Sequence, residues 1–82
     1  MMSSTEANII ADSWKEGRAV SWMAGELGYQ LLTWEGKRRL AVCETGMRPT
    51  CFEPIHVTLV RNCLVIRCRG DQALLFDVEG EE

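Results

Sequence analysis

Long apolar runs are missing from this chain. The longest, such as Ala73-Leu74-Leu75-Phe76, are four residues, whereas a membrane-spanning helix needs about 20. No membrane contact is expected. A basic flank followed by an apolar stretch is missing from the N-terminus, so no secretory signal is read there. The expected compartment is the cytoplasm. Histidine occurs once, as His56, and the four cysteines (Cys43, Cys51, Cys63 and Cys68) form no C-x-x-C pair. That excludes a zinc knuckle and a thioredoxin-like redox motif. Cys63 and Cys68 stand an odd interval apart, so on one strand they point to opposite faces and cannot share a metal. The expectation is reduced cysteines, no metal and no cofactor, with a Cys43–Cys51 disulfide as the oxidised alternative.

Nucleotide-binding glycine motifs are missing too: neither G-x-x-x-x-G-K-[ST] nor G-x-G-x-x-G occurs. Catalysis has no constellation to rest on. A Cys-His nucleophilic pair needs hydrogen-bonding distance and a third, orienting group. The strand register derived below puts His56 opposite Arg67 instead of beside a cysteine. Asp12, Glu16 and Glu26 are dispersed acids of a solvated surface. Arg69-Gly70-Asp71 spells an adhesion tripeptide, but Gly-Asp is ordinary turn chemistry, and a cytoplasmic chain does not meet an extracellular receptor. The chain is expected not to be an enzyme.

What is there is one small domain. With 82 residues and 46% apolar content, the chain has room for one core only. It is read as a single unit, 1–82, with residues 1–3 and 79–82 frayed. The net charge of −3 hides a pattern. Residues 1–36 carry two basic against five acidic side chains, residues 37–69 seven against two, and residues 70–82 none against five. A basic middle between acidic ends is either a polyanion site or intramolecular charge balance.

The N-terminus reads as a helix. Ser3-x-x-Glu6 fits a capping box, Ala7, Ile10, Ala11 and Trp14 make one helical stripe, and Gly17 is a stop. Residues 19–27 fit either a strand, through Val20 and Trp22, or a helix, through Val20, Met23 and Leu27. The reading adopted is a short second helix or turn ended by Gly28. From Tyr29 onward the pattern is strand-like. Glu35-Gly36 is a two-residue turn that pairs Trp34 with Lys37, Leu31 with Leu40 and Tyr29 with Val42. Residues 45–54, with one Gly and two Pro, read as a break.

Ile55, Val57 and Leu59 alternate on one face, and a turn at Arg61-Asn62 pairs them with Cys68, Ile66 and Leu64. His56, Thr58, Val65 and Arg67 take the other face. A three-residue loop, Gly70–Gln72, then pairs Cys68 with Leu74, Ile66 with Phe76 and Leu64 with Val78. A two-residue loop would instead turn Asp77 into the core. The fold class expected is therefore α+β: one or two N-terminal helices packed on a small antiparallel meander or barrel of about five strands. In outline this resembles the Sm-like barrels, although architecture does not give function.

The aliphatic residues are consumed by this core. Outward are left Arg39, His56, Arg67 and Arg69, with Trp34 at the margin. Six of the seven basic residues of the middle segment are arginine, whose planar fork desolvates more readily than an ammonium. Exposed Trp and Arg are enriched at protein-interface hot spots, and the acidic total favours a protein partner over a phosphate backbone. The leading expectation is a non-catalytic protein-binding module. It would act as a small regulator or inhibitor of a larger protein, as compact, acidic, motif-poor phage and mobile-element proteins do. The alternatives are a β-domain binding single-stranded nucleic acid through its basic strands, and a subunit of a homo-oligomer. Should the basic strands not serve, the N-terminal helix with Trp14 and Trp22 is the next candidate.

Overall fold

The structure, a computed structural model, describes residues 1–80. It comprises one helix, α1 (Ser4–Glu16), and seven strands: β1 (Val20–Ala24), β2 (Leu27–Trp34), β3 (Lys37–Glu44), β4 (Thr50–Phe52), β5 (Pro54–Val60), β6 (Cys63–Cys68) and β7 (Gln72–Asp77). The strands form two antiparallel sheets, β1-β2-β3-β4 and β5-β6-β7. A single residue, Glu53, separates β4 from β5. The class is α+β, as expected. The barrel is not closed, and seven strands replace the expected five or so.

The helix begins and ends where its sequence dictates. Ser3 is extended and its hydroxyl accepts a bond from the Glu6 N–H at 3.1 Å. Gly17 takes φ 72°, and the Arg18 N–H donates to the Ser13 carbonyl at 2.9 Å, a Schellman ending that needs a left-handed residue. Ala7, Ile10 and Ala11 are buried, and Trp14 packs half-buried against the core.

The expected second helix is a strand. Val20 and Trp22 face inward with period two, and Gly25-Glu26 turns the chain so that Ala24 pairs with Leu27. Gly25, at φ 64°, makes a hairpin where it was read as a helix interruption. The β2–β3 register is the expected one, Trp34↔Lys37 through Leu31↔Leu40 to Tyr29↔Val42. Its turn residues Glu35 and Gly36 both take positive φ, as the favoured hairpin turn requires. The expected break contains a short strand, β4, which pairs with the middle of β3.

Ile55 is not a core residue. A bulge between Pro54 and His56 sets Pro54 opposite Cys68, so Pro54 is buried and Ile55 is turned out. A bulge adds one residue to one strand and so reverses facing from that point. The last hairpin does have a three-residue loop, but it is Arg69–Asp71. The register is Cys68↔Gln72, Ile66↔Leu74 and Leu64↔Phe76. The slip is two residues, an even number, so the facing of Leu74 and Phe76 survives it.

The start of the chain is not frayed. Met2 is buried and forms a parallel bridge with Val78. The Met2 N–H donates to the Asp77 carbonyl and the Glu79 N–H to the Met2 carbonyl, at 2.9 and 2.8 Å. Of the expected frayed tail, residues 81–82 lie outside the described residues. Both sheets and α1 share one core that includes Ile10, Leu31, Leu40, Leu64 and Ile66, each fully buried. Burial of such a side chain stabilises by about 1.5–3 kcal/mol.

Candidate interaction surface

Alternation in a strand sends successive side chains to opposite faces. With Leu64, Ile66 and Phe76 inward, the outer face of β5–β6–β7 carries three cross-strand rows. They are His56–Arg67–Ala73, Thr58–Val65–Leu75 and Val60–Cys63–Asp77. His56 and Arg67 are both exposed, directly opposite one another. Leu75 is 67% exposed and Val60 51%. The face is thus apolar through its middle, basic at one end and acidic at the other.

Arg69 stands at the hairpin tip beyond Arg67. Its backbone N–H donates to the Glu53 carbonyl at 2.9 Å and its guanidinium pairs with the Glu53 carboxylate at 3.0 Å. With the Arg69 side chain 77% exposed, such a pair holds the tip in place and contributes little energy.

Trp34 and Arg39 lie elsewhere. Leu31 and Leu40 point into the core, so Trp34 and Arg39 project from the outer face of the first sheet. There the Arg39 Nε–H donates to the Trp34 carbonyl at 3.4 Å. The two sheets meet through their inner faces, and these outer faces look away from each other. At the β4–β5 corner Lys37, Arg39, Phe52 and Glu53 line a cleft of about 170 Å³, and Glu53 there is the partner of Arg69. The five residues singled out by sequence therefore make two groups: His56 and Arg67 with Arg69, and Trp34 with Arg39. Trp22, from the reserve candidate, is buried and stacks on Tyr29, so it offers no surface.

One arginine of the basic segment is half-buried and turned inward. Arg38 faces α1 and binds its end: Nη2 donates to the Ser13 and Arg18 carbonyls at 3.3 and 3.1 Å. Nη1 donates to the Thr33 hydroxyl at 3.1 Å. The guanidinium lies 5.3 Å from the Trp14 ring centre. A cation at a helix C-terminus is favoured by the negative end of the helix dipole. Burial lowers the Arg38 pKa from its ordinary value.

The four cysteines are free. Burial raises the Cys68 thiol pKa. Cys43 donates its S–H to the Met47 carbonyl at 3.1 Å. Cys63 and His56 share the outer face but stand four positions apart along it, roughly 13 Å. Among the described residues, no three His, Cys, Asp or Glu side chains gather as metal ligands. On the first sheet, Met23, Gly28, Gln30, Ala41, Cys43 and Pro49 line a shallow trough of about 490 Å³.

Leu75, Val60 and Ile55 were missed as surface residues. The signal for Leu75 was present: in Ala73-Leu74-Leu75-Phe76, placing Leu74 and Phe76 inward forces Leu75 outward. Among the described residues, no helix is long and apolar enough to cross a membrane. No family model matches the chain, and neither a curated protein nor a solved structure matches it.

Proposed function

We propose that this chain is a non-catalytic protein-binding module that regulates or inhibits a larger protein, docking through the outer face of β5–β6–β7. The observation that carries the reading is the exposed Leu75 beside Val65, flanked by His56 and Arg67. An apolar centre with arginine at its rim is the anatomy of a protein interface. Acidic groups of the partner meet Arg67 and Arg69. Single-stranded nucleic acid is disfavoured, because stacking uses a series of aromatic rings among the cations and the nine positions of this face hold no Trp, Tyr or Phe and one imidazole, His56. Trp34, the exposed tryptophan, belongs to the other sheet. Four free cysteines suit a reducing cytoplasm. The test is affinity capture from the native host, with nuclease treatment in parallel, comparing the natural chain with an Arg67→Glu, Arg69→Glu variant. A protein retained after nuclease and lost with the double variant supports the reading. Retention by both chains removes this face from consideration, and loss on nuclease treatment moves nucleic acid ahead.

A further inference from the structure

Among the described residues, the outer edge of β7 has no neighbouring strand along most of its length, since β7 closes the order β5-β6-β7. Which backbone groups face that edge follows from two hydrogen bonds. The Val78 N–H donates to Asn62 on the β6 side, whereas the Asp77 carbonyl accepts from Met2 on the free side. Backbone groups alternate along a strand. Leu75 and Ala73, in step with Asp77, therefore present both N–H and C=O outward. At its far end this edge already holds a strand-like segment, the parallel bridge of Met2 to Val78. Charged, proline-bearing or bulged edges discourage such pairing; Ala73–Phe76 has none of these features. Beside the edge, Met2, Met23, Tyr29 and Phe76 line a cleft of about 310 Å³.

We propose that the edge of β7 is a peptide acceptor that takes an extended segment of a partner protein, in line with Met2, by strand addition. This rests on the reading of the chain as a protein-binding module and names the mode of holding. Alternate side chains of the segment enter the cleft beside Phe76, and the others lie next to Leu75. The segment carries lysine or arginine at its ends, because the strand and its flanks hold Asp71, Asp77 and Glu79 and no base from residue 70 to 80. The same charges argue against a second copy of this chain. Antiparallel pairing of two β7 strands about Leu75 would need the edge at Asp77 and Glu79 of each copy, where Met2 is already bonded, and would bring Asp71 of one copy toward Glu79 of the other, like charges that repel.

The probe is a displayed library of random peptides, about eight residues long to span a strand, selected on the immobilised full chain. Support consists of enriched peptides with alternating β-branched or aromatic residues and basic flanks. Methylating backbone nitrogens of a selected peptide one at a time should weaken binding at alternate positions only, by about tenfold or more. Leu75→Pro should weaken it comparably, because that N–H serves no bond to β6 and edge proline is tolerated in a folded sheet. An empty selection, or methylation sensitivity without a period of two, overturns the proposal. The methylation series uses the natural chain, so it holds even if Leu75→Pro does not fold. Peptide binding that survives Arg67→Glu, Arg69→Glu while host capture is lost shows the edge and the outer face acting separately. Capture that persists with the double variant but is lost on competition with the unmethylated selected peptide, and not with its binding-deficient methylated form, would sink the outer-face reading and leave the edge standing.

Discussion

The inner face of β5–β7 is mainly aliphatic, built from Val57, Leu64 and Ile66 with Cys68 and Phe76, whereas that of β1–β4 sets Trp22, Tyr29 and Arg38 beside Leu31 and Leu40. Both sheets close on the same core. The aliphatic face is satisfied by contact alone. The aromatic face brings polar atoms inside, and these need partners. Among the described residues, two buried side-chain nitrogens find none, Trp22 Nε1 and Arg38 Nε, and both belong to the first sheet. The price of each is on the order of 1–3 kcal/mol. What that sheet gains is a fixed helix: Arg38 ties the end of α1 to β3, and Trp22, Tyr29 and Phe76 interlock with ring centres 4.9–5.8 Å apart. One sheet is held by apolar volume and the other by geometry, and they should fail differently.

The largest effect is expected in the aliphatic sheet. Ile66→Ala leaves a cavity at a fully buried site and should lower stability by about 2–5 kcal/mol in denaturant melts. Val65→Ala, one position along on the outer face, should cost clearly less. Equal losses would mean that the two faces are not distinct.

In the other sheet, Arg38→Ala should cost about 1–3 kcal/mol, since it leaves the Ser13 and Arg18 carbonyls without their side-chain donor. Arg38→Lys should not restore the loss, because one ammonium cannot replace the fork. Arg39→Ala, on the outer face of the same strand, should stay within about 0.5 kcal/mol. A full rescue by lysine would reduce the role of Arg38 to charge alone.

Smaller still is the effect of Arg67→Glu with Arg69→Glu. Both side chains are exposed, and only the Arg69–Glu53 pair is lost, so the melting midpoint should move by no more than about 1 kcal/mol in stability. A collapse of the far-ultraviolet circular dichroism would show that the hairpin tip supports the fold.

The mildest test uses the thiols. Cys51 is exposed and Cys68 buried, so alkylation followed by mass spectrometry should label Cys51 first and Cys68 last. The Cys68 pKa is raised in the folded chain. Its contribution to stability is full below the unfolded-state pKa and is lost as pH rises through the folded value. Stability should therefore decline as pH rises through and beyond the range in which an ordinary thiol ionises, and Cys68→Ala should flatten that limb. An unchanged limb would assign the decline to other groups.

Much of this was readable in the residues, and the failures have physical causes. Glu35-Gly36 fixed the β2–β3 register because few pairs accept two positive φ values in a row. Arg61-Asn62 placed His56 opposite Arg67 as a two-residue turn as well, in which Arg61 alone of the pair takes a positive φ, 54°. The strand at Val20–Ala24 was hidden because Met23 completed a helical stripe as well as Trp22 completed a strand stripe. The bulge at Ile55 was hidden because Ile55, Val57 and Leu59 alternate so regularly that nothing local marks the extra residue. Only the burial of Pro54 decides it, and burial is a tertiary property. The division of the candidate surface was beyond local pattern altogether. Trp34 and Arg67 are both outward, but on which side of the molecule depends on how the chain turns at Glu53.

The bridge between Met2 and Val78 bears on the order in which the molecule is built. Every hairpin pairs neighbours, so each can form soon after its second strand is synthesised. Met2 precedes every strand, and its partner Val78 follows the last of them, β7. Until the end of β7 leaves the ribosome, the Met2 side chain has no socket and the aromatic cluster around Phe76 is incomplete. The tertiary structure closes only once β7 is available, and a chain stalled shortly before Phe76 would hold six strands with the middle of its core still open to water.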